Sequence, residues 1–366
     1  MVIYILIFVC SIFLCYCAVY NPRNRELNNH PRIGLYAISA SLLILMMGIR
    51  EGVGTDYYSV YALEYNKLIS EGLTYNNRFE PGFFLLMRLT AFFSGDYHIL
   101  FFVVGFITIV LVYHAIYRLS DKPTWSVFIF LFGGFFFFAT NGIRQALAVS
   151  ILMNAVPYAI DRKCVHYISA VVLASFIHTS AIVFIPLYFF VGWKMNSFKA
   201  TLFLILIVLF SGYIVDFALR ISSAFSPQIA RYASHEHLSN QYLSQGNIDL
   251  SDLISTVVAF MLYIITVTIC RTNDKTDFLF FIVFIGLLTS ILSKDMAIFS
   301  RMAMYFSPFI ILAIPQLFHS LEEAGIVEVW IFKSLYFVFI LASCMYLYGY
   351  LNFSSVIPYI TLFGNG

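Results

Sequence analysis

Charge is scarce in this 366-residue chain: Asp, Glu, Lys and Arg together make up 11% of it, against roughly 25% in a soluble domain. With 61% hydrophobic and 19% aromatic residues, water is excluded as its main solvent. Cysteine is sparse and unpatterned. The six, at 10, 15, 17, 164, 270 and 344, show no C-x-x-C spacing and no histidine companions of metal-site type, so they read as small packing residues. No basic run supports nucleic-acid binding, and the net charge of +2 says little, because in lipid charge is informative by position. No Lys or Arg precedes the first apolar run, residues 2–20, and no clear A-x-A site follows it, so a cleaved signal peptide is not expected. Without internal repeats, low-complexity linkers or a soluble stretch, residues 1–366 read as a single transmembrane domain.

What is present is a succession of apolar runs near 2–20, 33–49, 97–117, 124–139, 143–160, 167–191, 200–219, 251–270, 277–293, 301–318 and 329–350. A hydrocarbon core about 30 Å thick takes about 20 helical residues per crossing, so the expected fold is an all-α polytopic integral membrane protein, a bundle of about 11–12 transmembrane segments. Arg23, Arg25 and Arg32 place residues 21–32 in the cytoplasm. Residues 50–78 and 220–250 are then external loops. Residues 79–94 are short, are broken early by Pro81-Gly82 and carry Arg88. Read as a re-entrant or interfacial helix, they leave Arg118, Lys122, Arg162 and Lys163 inside. The run at 167–191 is interrupted at His178-Thr179-Ser180, and a broken hairpin with His178 at the outer face keeps Arg271 and Lys275 inside as well.

In this topology Arg50, Asp56, Glu80, Arg144, His178, Arg231 and Arg301 all fall at the outer boundary, around the mouth of one cavity. Ionisable residues at membrane depth are costly, which makes each a candidate for function. Arg144 follows Thr140-Asn141-Gly142, a candidate cap, so a cation and a helix N-terminus would meet a phosphate together. Arg301 follows Ser300 and is expected to repeat the arrangement. Taken singly, each arginine also fits a side chain snorkelling to headgroups. Asp56 and Glu80 are candidate general bases, or partners for Arg50 and Arg78. His178 would take a proton near neutral pH, or hydrogen-bond the backbone exposed at the break. Tyr57, Tyr58 and Tyr61, beside Asp56, are candidates for a sugar-stacking platform. His235-Glu236-His237 in the longer loop, which also holds Asp249, lacks a further spaced ligand and reads as solvated, so no metal is expected. A transporter would need charge near the midplane and two related halves. Asp216 and Lys294-Asp295 fall nearer span ends.

Five motifs occur in order: R-x-G-x-G-T-D-Y from Arg50 to Tyr57 with Tyr61, the Glu80-Pro81-Gly82-Phe83 turn, Gly142-Ile143-Arg144-Gln145, His178-Thr179-Ser180-Ala181, and Arg301 to Tyr305. The pattern, over about residues 33–320, resembles the EpsG-like branch of the Wzy polysaccharide polymerases. The resemblance implies a membrane glycosyltransferase joining undecaprenyl-diphosphate-linked repeat units on the outer or periplasmic face of the bacterial cytoplasmic membrane. It implies donor and acceptor lipid-linked glycans as partners, a chain-length-regulating co-polymerase beside them, and no cofactor. Arg50, Arg144, Arg301 and Arg231 would hold the diphosphate, one of Asp56, Glu80 and His178 would act as the base, and Tyr57, Tyr61, Gln145 and Tyr305 would contact sugar. A single base without a covalent intermediate predicts inversion. A ligase-like transferase and a lipid-linked-oligosaccharide flippase are the alternatives.

Overall fold

The apolar runs fold as helices because lipid offers the backbone no hydrogen-bond partners, so each segment satisfies its own N–H and C=O groups. The computed structural model describes residues 1–21, 26–27, 31–72, 78–194, 196–225, 257–258, 260–261, 263–265, 268, 272–293 and 298–365. The chain is an all-α polytopic membrane protein. Among the described residues six helices are long and apolar enough to cross a bilayer, or seven if one bent pair is a single span, and shorter apolar helices accompany them. The chain divides into two compact units, residues 1–189 with 314–366, and residues 190–313.

The first unit begins with α1 (Val2–Val19) and α2 (Ile33–Gly48), joined by a two-strand hairpin, β1 (Tyr20–Asn21) with β2 (Glu26–Leu27). A π-helical turn, Tyr57–Ala62, runs into α3 (Leu63–Glu71), followed by α4 (Pro81–Phe93) and α5 (His98–Leu119). Residues 50–78, expected as a loop, are therefore largely helical. Pro81 and Pro123 occupy first helical turns, where their missing N–H costs nothing. The span expected at 124–139 is broken into α6 (Pro123–Phe132) and α7 (Phe135–Asn141), bent by 50°. The break falls at Gly134, whose φ of +95° disfavours a side chain and whose missing β-carbon leaves room for the Tyr348 hydroxyl. Next come α8 (Ile143–Ile160), α9 (Cys164–Ile177) and a 3-10 helix, Thr179–Phe190. A buried triad of hydroxyls, Ser11, Ser39 and Tyr113, pairwise 2.9–3.0 Å apart, ties α1, α2 and α5 together.

In the second unit lie α10 (Ser197–Phe225), α11 (Asp274–Leu292) and α12 (Ile298–Phe306). Asn273 caps α11 by accepting the Thr276 N–H at 2.8 Å, and buried Asp277 accepts the Tyr263 and Thr272 hydroxyls. The helix α13 (Ile310–Glu323) leads back to the first unit, which closes with α14 (Val329–Cys344), a π turn and a second hairpin, β3 (Ile360–Thr361) with β4 (Gly364–Asn365). Because α10 runs on to Phe225, residues 220–225 of the expected loop are helical, and residues 226–250 lie outside the described residues. Arg23, Arg25, Arg231, His235, Glu236, His237, Asp249, Cys270, Arg271, Lys294 and Asp295 lie outside the described residues.

Contacts orient the first unit. Arg50 reaches the Thr140 carbonyl and Glu51 bonds His98, so the end of α2 and the starts of α5 and α8 share one end of the bundle. Glu80 meets Arg144 at that same end, while the last turn of α4 is followed within four residues by His98. Both ends of α4, about 20 Å long, therefore connect to residues at that end. The chain then descends along α8, returns along α9 to His178 and descends again. Tyr188 donates to the Arg162 carbonyl at 2.9 Å and Tyr167 to that of Phe184 at 2.6 Å, which lays the two arms side by side. The second arm has only 12 residues, but the 3-10 rise of about 2.0 Å per residue stretches it to roughly 24 Å.

Gly82 is where α4 meets the top of this hairpin. A β-carbon there would lie 2.7 Å from the Phe176 carbonyl oxygen, a backbone atom that cannot swing aside. Gly82→Ala is expected to destabilise the protein by about 1–3 kcal/mol, while Gly34→Ala, which meets open space on α2, is expected to stabilise it by about 0.5–1 kcal/mol. Thermal unfolding in detergent or nanodiscs checks the opposite signs.

Candidate functional site

The segment Arg50–Asp56 cannot be helical or extended throughout, since Gly52 (φ +63°) and Gly54 (φ +103°) adopt conformations that favour glycine. Gly54 also packs where a β-carbon would press on the Thr140 carbonyl and the Asn141 side chain, each 3.2 Å away. That closeness lets Asn141 Oδ1 accept both the Thr55 hydroxyl and the Asp56 N–H at 3.0 Å. The expected cap at Thr140-Asn141-Gly142 is therefore absent. Both residues end α7, Asn141 serves the loop, Thr140 donates to the Phe137 carbonyl, and α8 starts at Gly142 without a side-chain cap.

Arg50 is 1% exposed. Its guanidinium donates to the Met47 carbonyl at 2.6 Å and the Thr140 carbonyl at 3.2 Å, and lies 4.9 Å from the Phe101 ring centre. No carboxylate pairs with it among the described residues, and burial pushes its pKa down to about 10, still charged at neutral pH. This arginine, expected at the cavity mouth, acts here as a buried strut between loop and α7.

Glu80 stands just before Pro81 with extended backbone, φ −63° and ψ 149°, so its side chain projects past the helix end. Arg144, at the second position of α8, donates to Oε2 at 2.7 Å. His178 Nδ1 lies 2.6 Å from Oε1, and the Thr179 N–H donates to the same oxygen at 3.2 Å. Two aromatic rings of the same turn, Phe79 and Phe83, face the Arg144 guanidinium at 4.8 and 6.0 Å. The carboxylate is 14% exposed, the arginine 22% and the histidine 24%, so the cluster is sheltered and still open. Burial pushes the Glu80 carboxyl up, but the His178 bond and the positive Arg144 outweigh it and hold it down to about 2.

Asp56 is half-buried, and its carboxylate makes no hydrogen bond or ion pair with the described residues. The Tyr61 hydroxyl meets Arg144, so Tyr61, Arg144, Glu80 and His178 form one chain of polar groups, with Asp56 within electrostatic reach of Tyr61. Neither expected alternative pairing occurs, because Arg78 binds Glu64 and Arg50 binds carbonyls. The tyrosine platform is not assembled as expected. Tyr57 is 1% exposed, stacked at 4.1 Å on Phe101, and Tyr61 is stacked on Phe79, leaving Tyr58 alone of the three exposed. Gln145 is buried in α8. Arg301 and Tyr305 belong to α12 of the second unit, the first exposed and the second buried. Ser300 is the third residue of that helix and not its cap. Arg231 lies outside the described residues. No group of three or more His, Cys, Asp or Glu side chains suited to a metal occurs among the described residues.

Sequence reasoning missed three participants. Asn141 was weighed only as a cap, although its place beside a glycine-rich segment in space is invisible in sequence. Glu51 and His98 also escaped notice: Glu51 accepts from Tyr58, Tyr97 and His98, and His98 turns its other nitrogen to Asp96. Hydrogen bonds from Tyr58 and His98 override the effect of partial burial and hold the Glu51 carboxyl below its usual range.

The chain belongs to the EpsG family, whose model matches residues 33–361. No curated protein and no solved structure matches it.

The depressed Glu80 pKa has a signed consequence. A carboxyl lower in the folded than in the unfolded chain stabilises fully above about pH 4.5 and loses that contribution as pH falls towards about 2. The stability advantage of the wild type over Glu80→Gln is therefore expected to be present at pH 7 and to shrink across that window, read from melting temperatures of both proteins at stepped pH.

Proposed function

We propose that this member of the EpsG family is a polysaccharide polymerase. It would join lipid-diphosphate-linked oligosaccharide repeat units, with the undecaprenyl carrier as leaving group, at the outer face of the bacterial cytoplasmic membrane. The observation that carries the reading is the Glu80 carboxylate held between Arg144 and His178. Glu80 orients the His178 ring through Nδ1, and Nε2 is assigned the proton of the acceptor. The acceptor hydroxyl gives that proton to His178 as its oxygen attacks the anomeric carbon of the donor, the bond from that carbon to the diphosphate oxygen breaks, and the electron pair leaves with the diphosphate. One displacement inverts the anomeric centre. Arg144 spends one terminal nitrogen on Glu80 and its guanidinium stays partly exposed, so it keeps N–H groups to give to a phosphate oxygen. Asp56, within electrostatic reach of Tyr61, is placed to orient a sugar hydroxyl.

Charge distribution supports the outer-face assignment. Arg32, Arg118, Lys122, Arg162 and Lys163 all lie at the end of the first unit opposite the cluster, since α2 and α9 begin there and α5 and α8 end there. By the bias of basic loops that end is cytoplasmic. At the site end the basic residues are Arg50, sealed among carbonyls, Lys67, Arg78 and Arg144, each paired with a carboxylate, and Arg88 on α4.

With purified lipid-linked repeats, Arg144→Ala and His178→Ala are each expected to lower kcat/KM by roughly 10²–10³-fold, and wild-type-like chain growth by both would sink the assignment. A deletion strain is expected to display surface glycan with a single repeat unit. Full-length polymer retained on the lipid carrier would point to a ligase instead.

A further inference from the structure

A segment with two glycines at positive φ has more backbone freedom to lose than an ordinary loop. Side chains hold the Arg50–Asp56 segment at several points, among them Arg50 on the Thr140 carbonyl, Asn141 on Thr55 and the Asp56 N–H, Tyr57 on the Arg50 carbonyl, and Tyr58, Tyr97 and His98 on Glu51. Three backbone groups between Ile49 and Gly54 are met from the far end of the chain. The Leu362 N–H donates to the Ile49 carbonyl at 3.0 Å, the Glu51 N–H to that of Ile360 at 2.8 Å, and the Gly54 N–H to that of Ser355 at 3.2 Å. Arg50 and Thr361 form an antiparallel bridge between the first two of these bonds.

This distal segment is itself pinned. Tyr359 donates to the Met46 carbonyl at 2.7 Å and Tyr4 to the Val356 carbonyl at 3.0 Å, with the two tyrosine rings edge to face at 5.3 Å. Val356 is fully buried and Tyr359 nearly so. Asn352 closes the segment on itself through two bonds to Ile357, at 2.6 and 2.8 Å, and β3 folds back on β4. Residues 351–366 contain no Asp, Glu, His, Lys, Arg or Cys, so the segment brings geometry to the site and no acid, base or charge. The family match extends through it to residue 361.

We propose that residues 351–362 are a positioning strap for the site. They hold the Arg50–Gly54 backbone so that Tyr61 keeps its place beside Arg144, a role that rests on the polymerase reading above. The transmission is short. The carbonyl of Arg50, flanked by two strap bonds, accepts the Tyr57 hydroxyl at 3.0 Å, and Tyr57 opens the π turn that carries Tyr61. The strap therefore acts on turnover through placement, and the Leu362 N–H and Ile360 carbonyl are its working groups.

Leu362 offers a test confined to one backbone atom, because its side chain is exposed. Leu362→Pro deletes the donor and Leu362→Ala keeps it. With the full chain in nanodiscs, hydrogen exchange at Glu51 and Gly54 is expected to rise about tenfold in Leu362→Pro while α5 and α8 stay protected. Polymerisation kcat is expected to fall about tenfold, with KM for the lipid-linked repeat within about twofold of wild type. Leu362→Ala should match the wild type in both. Unchanged exchange and kcat in Leu362→Pro would overturn the proposal, and so would exchange raised equally through α2 and α8, the mark of a general packing staple. If the wild type forms no polymer, the exchange result still decides whether the strap holds the loop, and the polymerase reading alone falls.

Discussion

The Glu80 carboxylate is the interaction on which the rest of the site depends. It accepts from Arg144 on α8 and from His178 and Thr179 at the top of the broken hairpin, joining groups 64, 98 and 99 residues away in the chain. A carboxylate at this depth is costly to bury unless its oxygens are satisfied by charged or N–H donors. Those donors in turn must be brought to one level of the bundle, which constrains where α4, α8 and α9 begin or end. Remove the carboxylate and a guanidinium and an imidazole face each other across a sheltered gap.

Close approach of backbones makes that meeting possible, and glycine supplies it. Gly82 admits the Phe176 carbonyl beside α4, Gly54 admits Thr140 and Asn141 beside the loop, and Gly134 lets α7 bend from α6. Membrane helices gain little from hydrophobic attraction to one another, because lipid is as apolar as their side chains. Small residues at contacts and polar bonds such as those of Ser11, Ser39 and Tyr113 then do more of the joining than they would in water. The polar chain from Tyr61 to His178 rests on this scaffold, with the hydrogen bonds of Arg50 and the C-terminal strap holding the loop from behind.

Much of the architecture is legible from composition alone. Apolar length predicts the helices, and Pro81-Gly82 and His178-Thr179-Ser180 mark the start of a short helix and the break between α9 and the 3-10 arm. The motif order that resembles the EpsG-like polymerases agrees with the family the chain belongs to. Less legible were the bend at Gly134, the helices within residues 50–78, and the division of labour among the ionisable groups. Arg50 and Arg144 read alike in sequence, each a lone cation at a span end. One is sealed among carbonyls and the Phe101 ring, while the other has a carboxylate partner and stays partly exposed.

By itself the sequence determined that this chain lives in lipid as a helical bundle, and which few residues carry charge near membrane depth. Both follow from local properties, namely run length, hydropathy, and the backbone preferences of glycine and proline. Only the tertiary structure decided which of those residues meet: that Glu80 takes Arg144 and not Arg78, that Asn141 holds Asp56 and caps nothing, and that residues 351–362 close over Arg50. Pairings of that kind depend on contacts between segments far apart in the chain, settled by where one helix end stops against another, and no window of sequence contains both partners.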